Sequence, residues 1–383
     1  MSKTIKEINE KIASGKAVVV TADEIIDLKE NLGAKKAAEV VDVVTTATFG
    51  PMCSSGAFLN VGHATPPIRI EKMYLNDVES YAGLAAVDTY IGATQASTTL
   101  GDEYGGAHVI CDLIDGKDIT LRAFGKGTDC YPRKEITAKI SLSTINEAYL
   151  YNPRNAYQGY NAAANTSSKR LFTYMGILQP HLSNVTYCTS GQLSPLLNDP
   201  AYRTIGIGTR IFLAGTQGYV AWMGTQFNSA APRDEMGRIL SPGGTLAVVG
   251  DMKKMSTNFI SPAVFERYGV SIFVGIGIPI PIIDEDMLNM VSIKDSDIKM
   301  NIIDYSVSEA PRPVLKTVTY EELKSGQIMI NGKKVRTSPI TGYNKALEIA
   351  HLLKEQIISK QFYLTEKLES FPAHNKLNSL KSI

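Results

Sequence analysis

Two short stretches place a cysteine at a turn: "GPMCSSG" around Cys53 and "GTDCYPR" around Cys130. In each, the thiol follows a glycine by three residues and sits among small, hydroxyl-bearing or charged neighbours rather than inside an apolar run. Such turns favour exposure and leave backbone N–H groups free to point at sulfur, and both promote the thiolate, the reactive form of cysteine. Arg133 and Lys134 in "CYPRKE" would favour the Cys130 thiolate further. His63, in "NVGHATPP", lies ten residues after Cys53. It is placed to serve as a base or a substrate contact, although a histidine that satisfies a turn reads the same way. Cys53 and Cys130 are 77 residues apart, a spacing that does not say whether they meet.

The other two cysteines read differently. Cys188 stands in "VTYCTSGQ", whose C-T-S-G repeats the C-S-S-G of the first motif. Cys111, in "AHVICDLID", lies in an apolar strand-like pattern and reads as structural core. With 4 cysteines in 383 residues, no disulfide framework is expected, and a reducing, cytoplasmic setting is. Other chemistries lack their motifs. "FGKGTDC" has Cys130 where a dinucleotide fingerprint needs its third glycine, "GIGTRI" lacks that glycine too, and no Walker A sequence occurs. A nicotinamide or nucleotide cofactor is therefore not expected. No H-x-x-x-H or H-E-x-x-H pattern supports a zinc-protease site.

The elements that must position these thiols can be read from periodicity. The first fifty residues read as helical, with Thr21 as an N-cap and Glu24 completing a capping box. "AKKAAEVVDVVTTATFG" passes from helix to strand. Between about 50 and 130, runs such as "HVICDLIDG" and "DITLRAFGKG" read as strands and hairpins. The Tyr- and Asn-rich stretch 144–200 reads as a partly helical excursion with loops. From 203 the pattern is β again, through "RTIGIGTRIFLAGTQGYVAWMGTQF" to "VSIFVGIGIPIPII", and 344–371 reads as an amphipathic helix or helix pair. The expected fold is α/β: one large interwoven domain over 1–370, with mixed sheets, a helical N-terminus and a C-terminal amphipathic helix, then a frayed tail over 371–383.

Composition sets the outer bounds. A net charge of +1 gives no electrostatic reason to expect nucleic acid or an anionic membrane surface as a partner. The longest apolar stretch, 270–283, is too short to span a bilayer as a helix, and the N-terminus lacks the apolar core of a signal peptide. A homodimer is expected on base rates alone.

Longer motifs carry more information than any of these short patterns. "FGPMCSSGAFLNVGHATPPIRI", "TDCYPRKE", "GQLSPLLNDPAYRTIGIGTRIFLAGTQGYVAWMGTQ" and "LSPGGTLAVVGDMKKM" together resemble the homocysteine biosynthesis protein family, over roughly 1–360. The resemblance implies a sulfurtransferase that converts L-aspartate semialdehyde and sulfide to L-homocysteine, with two essential cysteines matching Cys53 and Cys130. It also implies a ferredoxin-like iron–sulfur partner, here a separate protein, since this sequence shows no such appendage.

Turning an aldehyde into a thiol also adds two electrons, so cysteine redox chemistry is one expectation: a persulfide or held sulfide adds to the carbonyl, and reduction leaves a disulfide. A [4Fe–4S] cluster held by Cys53 and Cys130 with Cys188 or Cys111, its free iron carrying the sulfide, is the alternative. For the substrate carboxylate, Arg69, Arg133 and Arg210 are the candidates; for its ammonium, Asp129 or Asp102. The competing class is a non-catalytic, regulatory protein that binds a metabolite or cluster. A thiol hydrolase or acyltransferase using Cys53 and His63 is a third reading.

Overall fold

A computed structural model describes residues 2–240, 242–373, 375, 377, 378 and 380. The fold is mixed α/β. Its spine is a ten-stranded sheet that begins Val19–Thr21, Val43–Pro51, Gly269–Pro281, Arg210–Leu213, and continues Thr216–Met223, Leu246–Asp251, Glu147–Asn155, Gly56–Asn60, Asp88–Gly92; Ile260–Phe265 also pairs with Gly269–Pro281. Val43–Pro51 and Gly269–Pro281 pair antiparallel along nine positions, and both are buried almost throughout. Such two-faced burial explains why these strands read as continuous β-branched runs rather than alternating ones.

The helix Tyr343–Ile358 covers this sheet. It comes so close that a Cβ at Gly275 would lie 2.6 Å from Ile349 Cδ1 and 3.1 Å from the Phe259 carbonyl oxygen, so glycine lets helix and strand meet without displacing Ile349. Thr45 Oγ1 donates to the Ala350 carbonyl at 2.8 Å and ties helix to strand. One six-stranded sheet carries Ile119–Phe124 and Glu135–Ile140, joined by the turn that holds Cys130. Another carries Ala162–Ala164 and Asn184–Tyr187 between Lys299–Asp304 and Lys333–Pro339, over its own apolar core. Among the described residues, no helix is long and apolar enough to cross a membrane.

Five local readings are corrected. "HVICDLIDG", read as strand, belongs to the helix Gly106–Ile114; six of its nine residues are buried, so its periodicity does not separate the two states. Cys111 is core, as read, but on a helix. The stretch 144–200 has its loops, as read, but they link short strands, with helix confined to the short Gly191–Leu193 and Pro195–Asn198 segments. Thr21 ends a strand instead of capping a helix, although Glu24 still accepts its N–H at 2.8 Å.

The C-terminal helix stops at Ile358, and Phe362 and Leu364, two apart, bury as an extended strap. Asn9 holds that strap at Leu364, and Ile207 holds it at Glu369. The frayed-tail reading also fails at its start. Phe371 packs on Tyr202 and Phe227, and the Asn375 N–H donates to Ser229 Oγ at 2.6 Å. The tail residues 374, 376, 379 and 381–383 lie outside the described residues.

Candidate active site

Where the ten-stranded sheet meets the sheet of Asn184–Tyr187, the chain leaves a pocket walled by Cys53, Arg154, Tyr157, Tyr160 and Cys188. About 60 Å³ is open to the centres of water molecules. One water needs about 10–15 Å³, so the space suits a few waters or one small molecule.

Cys53 enters this pocket on a tight turn at the end of the Val43–Pro51 strand. Met52 N–H donates to the Ile272 carbonyl at 2.7 Å, and Ser55 N–H closes the turn on the Met52 carbonyl at 2.9 Å. The turn is locked from beneath by Asn152, which is fully buried. Asn152 Nδ2 donates to Ser55 Oγ at 2.7 Å, while its Oδ1 accepts from Ser54 Oγ at 3.1 Å and from the Arg154 N–H at 2.7 Å. One amide thus fixes both the cysteine turn and the arginine that faces it.

Burial pushes the Cys53 thiol above its ordinary pKa, against the opposing pull of the Arg154 guanidinium and of the Cys53 and Ser54 N–H groups. The expected N–H stabilisation of a thiolate is present, but burial outweighs it. The resting group is therefore a thiol that Arg154 assists in ionising.

Cys188 faces the same pocket from the end of the Asn184–Tyr187 strand. Thr341 Oγ1 donates to its sulfur at 3.3 Å. Burial pushes this thiol up to about 11, opposed by the Thr341 hydrogen bond and helped by charge on Cys53. The C-S-S-G and C-T-S-G motifs thus end two strands of different sheets at one cavity.

Arg154 is half-buried, and its hydrogen bonds run through its backbone. Among the described residues, no carboxylate pairs with its guanidinium, and no Asp, Glu or His lines the pocket. The polar wall is made of hydroxyls instead, from Tyr157, Tyr160 and Tyr174 and from serines and threonines such as Ser54 and Thr341. Tyr157 and Tyr160 pack edge to face with centroids 4.9 Å apart, and the Tyr174 and Tyr305 hydroxyls are 2.7 Å apart. Burial raises the pKa of Tyr157 and of Tyr160, so both remain neutral. Ala156 holds a left-handed backbone conformation (φ 50°) between Arg154 and Tyr157, a strain of about 1–2 kcal/mol of the kind retained at functional sites.

The remaining sequence-derived residues lie elsewhere. Cys130 is exposed at the tip of a turn in which Thr128 and Tyr131 exchange backbone hydrogen bonds of 2.9 and 3.1 Å. His63 is exposed and stacks on Tyr131, so it accompanies Cys130 and not Cys53. Arg133 donates to the carbonyls of Pro66 and Thr65, Arg210 donates to that of Tyr363, and Arg69 is exposed; none lines the pocket. Asp129 and Asp102 are exposed and outside it as well. Sequence reasoning missed Arg154 and the tyrosines. Their signal was the density of Tyr, Asn and one Arg in "YNPRNAYQGY".

A [4Fe–4S] cluster on three cysteines of one chain does not fit this donor set. The pocket offers two thiols; Cys130 is not part of its wall, and Cys111 is buried within its helix. Among the described residues, no three His, Cys, Asp or Glu side chains are grouped to hold a metal ion.

Comparison with known proteins places this geometry in context. No solved structure matches the chain. An L-aspartate semialdehyde sulfurtransferase of Methanosarcina acetivorans is 48% identical over 381 residues, covering 100% of this chain and 74% of the relative. One of Methanocaldococcus jannaschii is 49% identical over 390 residues, covering 98% and 74%. A more distant, uncharacterised protein of Methanothermobacter thermautotrophicus is 28% identical, covering 86% and 73%. The family described as "Homocysteine biosynthesis enzyme, sulfur-incorporation" matches residues 17–364, and the chain belongs to that family of enzymes.

Proposed function

We propose that this enzyme converts L-aspartate semialdehyde and sulfide to L-homocysteine at the Cys53 pocket. The observation that carries this reading is the convergence of a half-buried thiol, Cys53, and an arginine without a carboxylate partner, Arg154, on a cavity sized for a small molecule. Relatives bearing that activity in their names align over nearly the whole chain.

The substrate carboxylate pairs with Arg154, whose planar guanidinium suits a two-pronged contact. Its ammonium lies against the Tyr157 and Tyr160 rings, which attract cations through their faces. The aldehyde then meets Cys53. Sulfide adds to the carbonyl carbon, and loss of water leaves a thiocarbonyl. The Cys53 thiolate attacks the thiocarbonyl sulfur, and the carbon takes up a proton. This forms a disulfide between Cys53 and the nascent homocysteine, with carbon reduced by two electrons. A second thiol releases homocysteine and closes a protein disulfide.

The cycle then needs two electrons and two protons from an external dithiol or a low-potential iron–sulfur protein. Cys130, exposed on its turn, is where a separate donor protein can make contact. Anaerobic incubation with semialdehyde, sulfide and dithiothreitol should yield homocysteine with repeated turnover. Absence of homocysteine, or equal yield from Cys53→Ala, would overturn the assignment.

A further inference from the structure

We infer that the second thiol of this chemistry is Cys188, acting as the resolving cysteine of the pocket; this deepens the reading above and rests on it for the identity of the released thiol. Three observations of geometry carry it. Cys188 and Cys53 both wall the one cavity. Cys188 also abuts the segment that carries Cys53: a Cβ placed on Gly50 would lie 3.7 Å from Cys188 Sγ. Gly50 and Cys53 are three residues apart, which bounds their Cα separation at about 10–11 Å. Thr341 Oγ1 donates to Cys188 Sγ at 3.3 Å and fixes the sulfur in place, as a positioned nucleophile requires. The charge of a Cys53 thiolate is also felt at Cys188, which makes it unfavourable for both to ionise together. A resolving thiol needs the same order of events: it ionises after the Cys53 charge has been consumed in a disulfide. Cys130 has none of these relations to the pocket.

The step balances as a thiol–disulfide exchange. The Cys188 thiolate attacks the Cys53 sulfur of the mixed disulfide. The bond between Cys53 and homocysteine sulfur breaks, the Cys53–Cys188 bond forms, and the leaving homocysteine thiolate takes up the proton that Cys188 lost. The net reaction is aldehyde, hydrogen sulfide and two cysteine thiols giving homocysteine, water and one protein disulfide. An external dithiol regenerates the pair.

The test is a single turnover of the fully reduced, full-length protein with semialdehyde and sulfide and no other reductant. It is quenched with acid, alkylated and read by peptide mass spectrometry alongside released homocysteine. The wild-type protein is expected to release about one homocysteine per chain with a Cys53–Cys188 disulfide. Cys188→Ser is expected to hold homocysteine on Cys53 as a mixed disulfide, freed only by added dithiothreitol. A Cys53–Cys130 disulfide in the wild type, or free homocysteine from Cys188→Ser at the wild-type level, would overturn the inference.

Mild diamide oxidation of the wild type separates this inference from the assigned reaction. A Cys53–Cys188 disulfide formed without any homocysteine activity would leave the thiol pair standing and the reaction assignment lost. Failure of the pair to form would remove the inference even if homocysteine is made.

Discussion

Cys53 and Cys130 begin from nearly the same local design and end in opposite surroundings. Each follows a glycine by three residues, and each sits inside a tight turn closed by backbone hydrogen bonds, Met52 to Ser55 in one case and Thr128 to Tyr131 in the other. The first turn ends a strand that is buried on both faces, so the chain that follows must pack over it. Residues 154–160, the Cys188 strand end and Thr341 close the space above it. The second turn joins two strands at the margin of a smaller sheet, where Cys130 stands exposed. Local sequence sets the turn in both places. What lies above it, which decides pKa, access and chemistry, is set by residues a hundred positions away.

In the proposed reaction the enclosed thiol carries the carbon–sulfur chemistry and the exposed one, at most, exchange with outside partners. The most severe test is Cys53→Ala. Loss of a nucleophile typically costs on the order of 10³-fold or more in turnover. Homocysteine formation is expected to fall to background while thermal unfolding stays near wild type, because the side chain is only half-buried. Appreciable activity in this variant would remove the enclosed thiol from the reaction.

Next in size is Arg154. Replacing it by Gln removes a charge-assisted contact worth about 1.5–3 kcal/mol, or about 10–100-fold in kcat/KM, and the loss should appear chiefly in KM for the semialdehyde. Arg154→Lys keeps the charge without the planar fork and should recover only part of it. The same substitutions at Arg133 and Arg210, which are engaged by backbone carbonyls, should leave KM near wild type.

Cys130→Ser is the variant that bears most directly on the comparison. With an external donor protein, steady-state turnover is expected to fall by about 10-fold, in line with loss of an exchange thiol and not of the reacting one. Single-turnover release of homocysteine from reduced protein should be unchanged. If single turnover is lost too, Cys130 must reach the pocket, and the division between enclosed and exposed thiols fails.

How much of this was legible in the sequence follows from the same division. The turns at Cys53 and Cys130 were readable because glycine, proline and serine act on their neighbours. The central strands were readable because β-branched runs persist across them. The repeated C-S-S-G and C-T-S-G motifs marked both pocket thiols, but no spacing rule says that two strand ends 135 residues apart share a cavity. Arg154 was passed over because its value lies in what it lacks, a carboxylate partner, and pairing is a property of the fold. The helix at Cys111 and the strap after Ile358 were misread for a related reason. The helix is apolar nearly all round, and the strap is held by contacts with residues such as Asn9 that are remote in sequence.

The smallest effect expected concerns the proton on Cys53. Burial holds its pKa above the ordinary thiol value of 9.0, while Arg154 pulls it back down. A raised thiol pKa means the reactive thiolate is scarce at neutral pH and grows as pH rises through the shifted value. Alkylation of Cys53 by iodoacetamide should therefore increase with pH to a midpoint above 9.0. In Arg154→Gln the attraction is gone and burial remains, so the midpoint should move higher still, which would also slow sulfur capture at any fixed pH. A bulky maleimide should label Cys130, which is exposed, in preference to Cys53. A Cys53 profile indifferent to Arg154 would mean that the arginine does not act on the thiol, leaving it a role in holding the substrate alone.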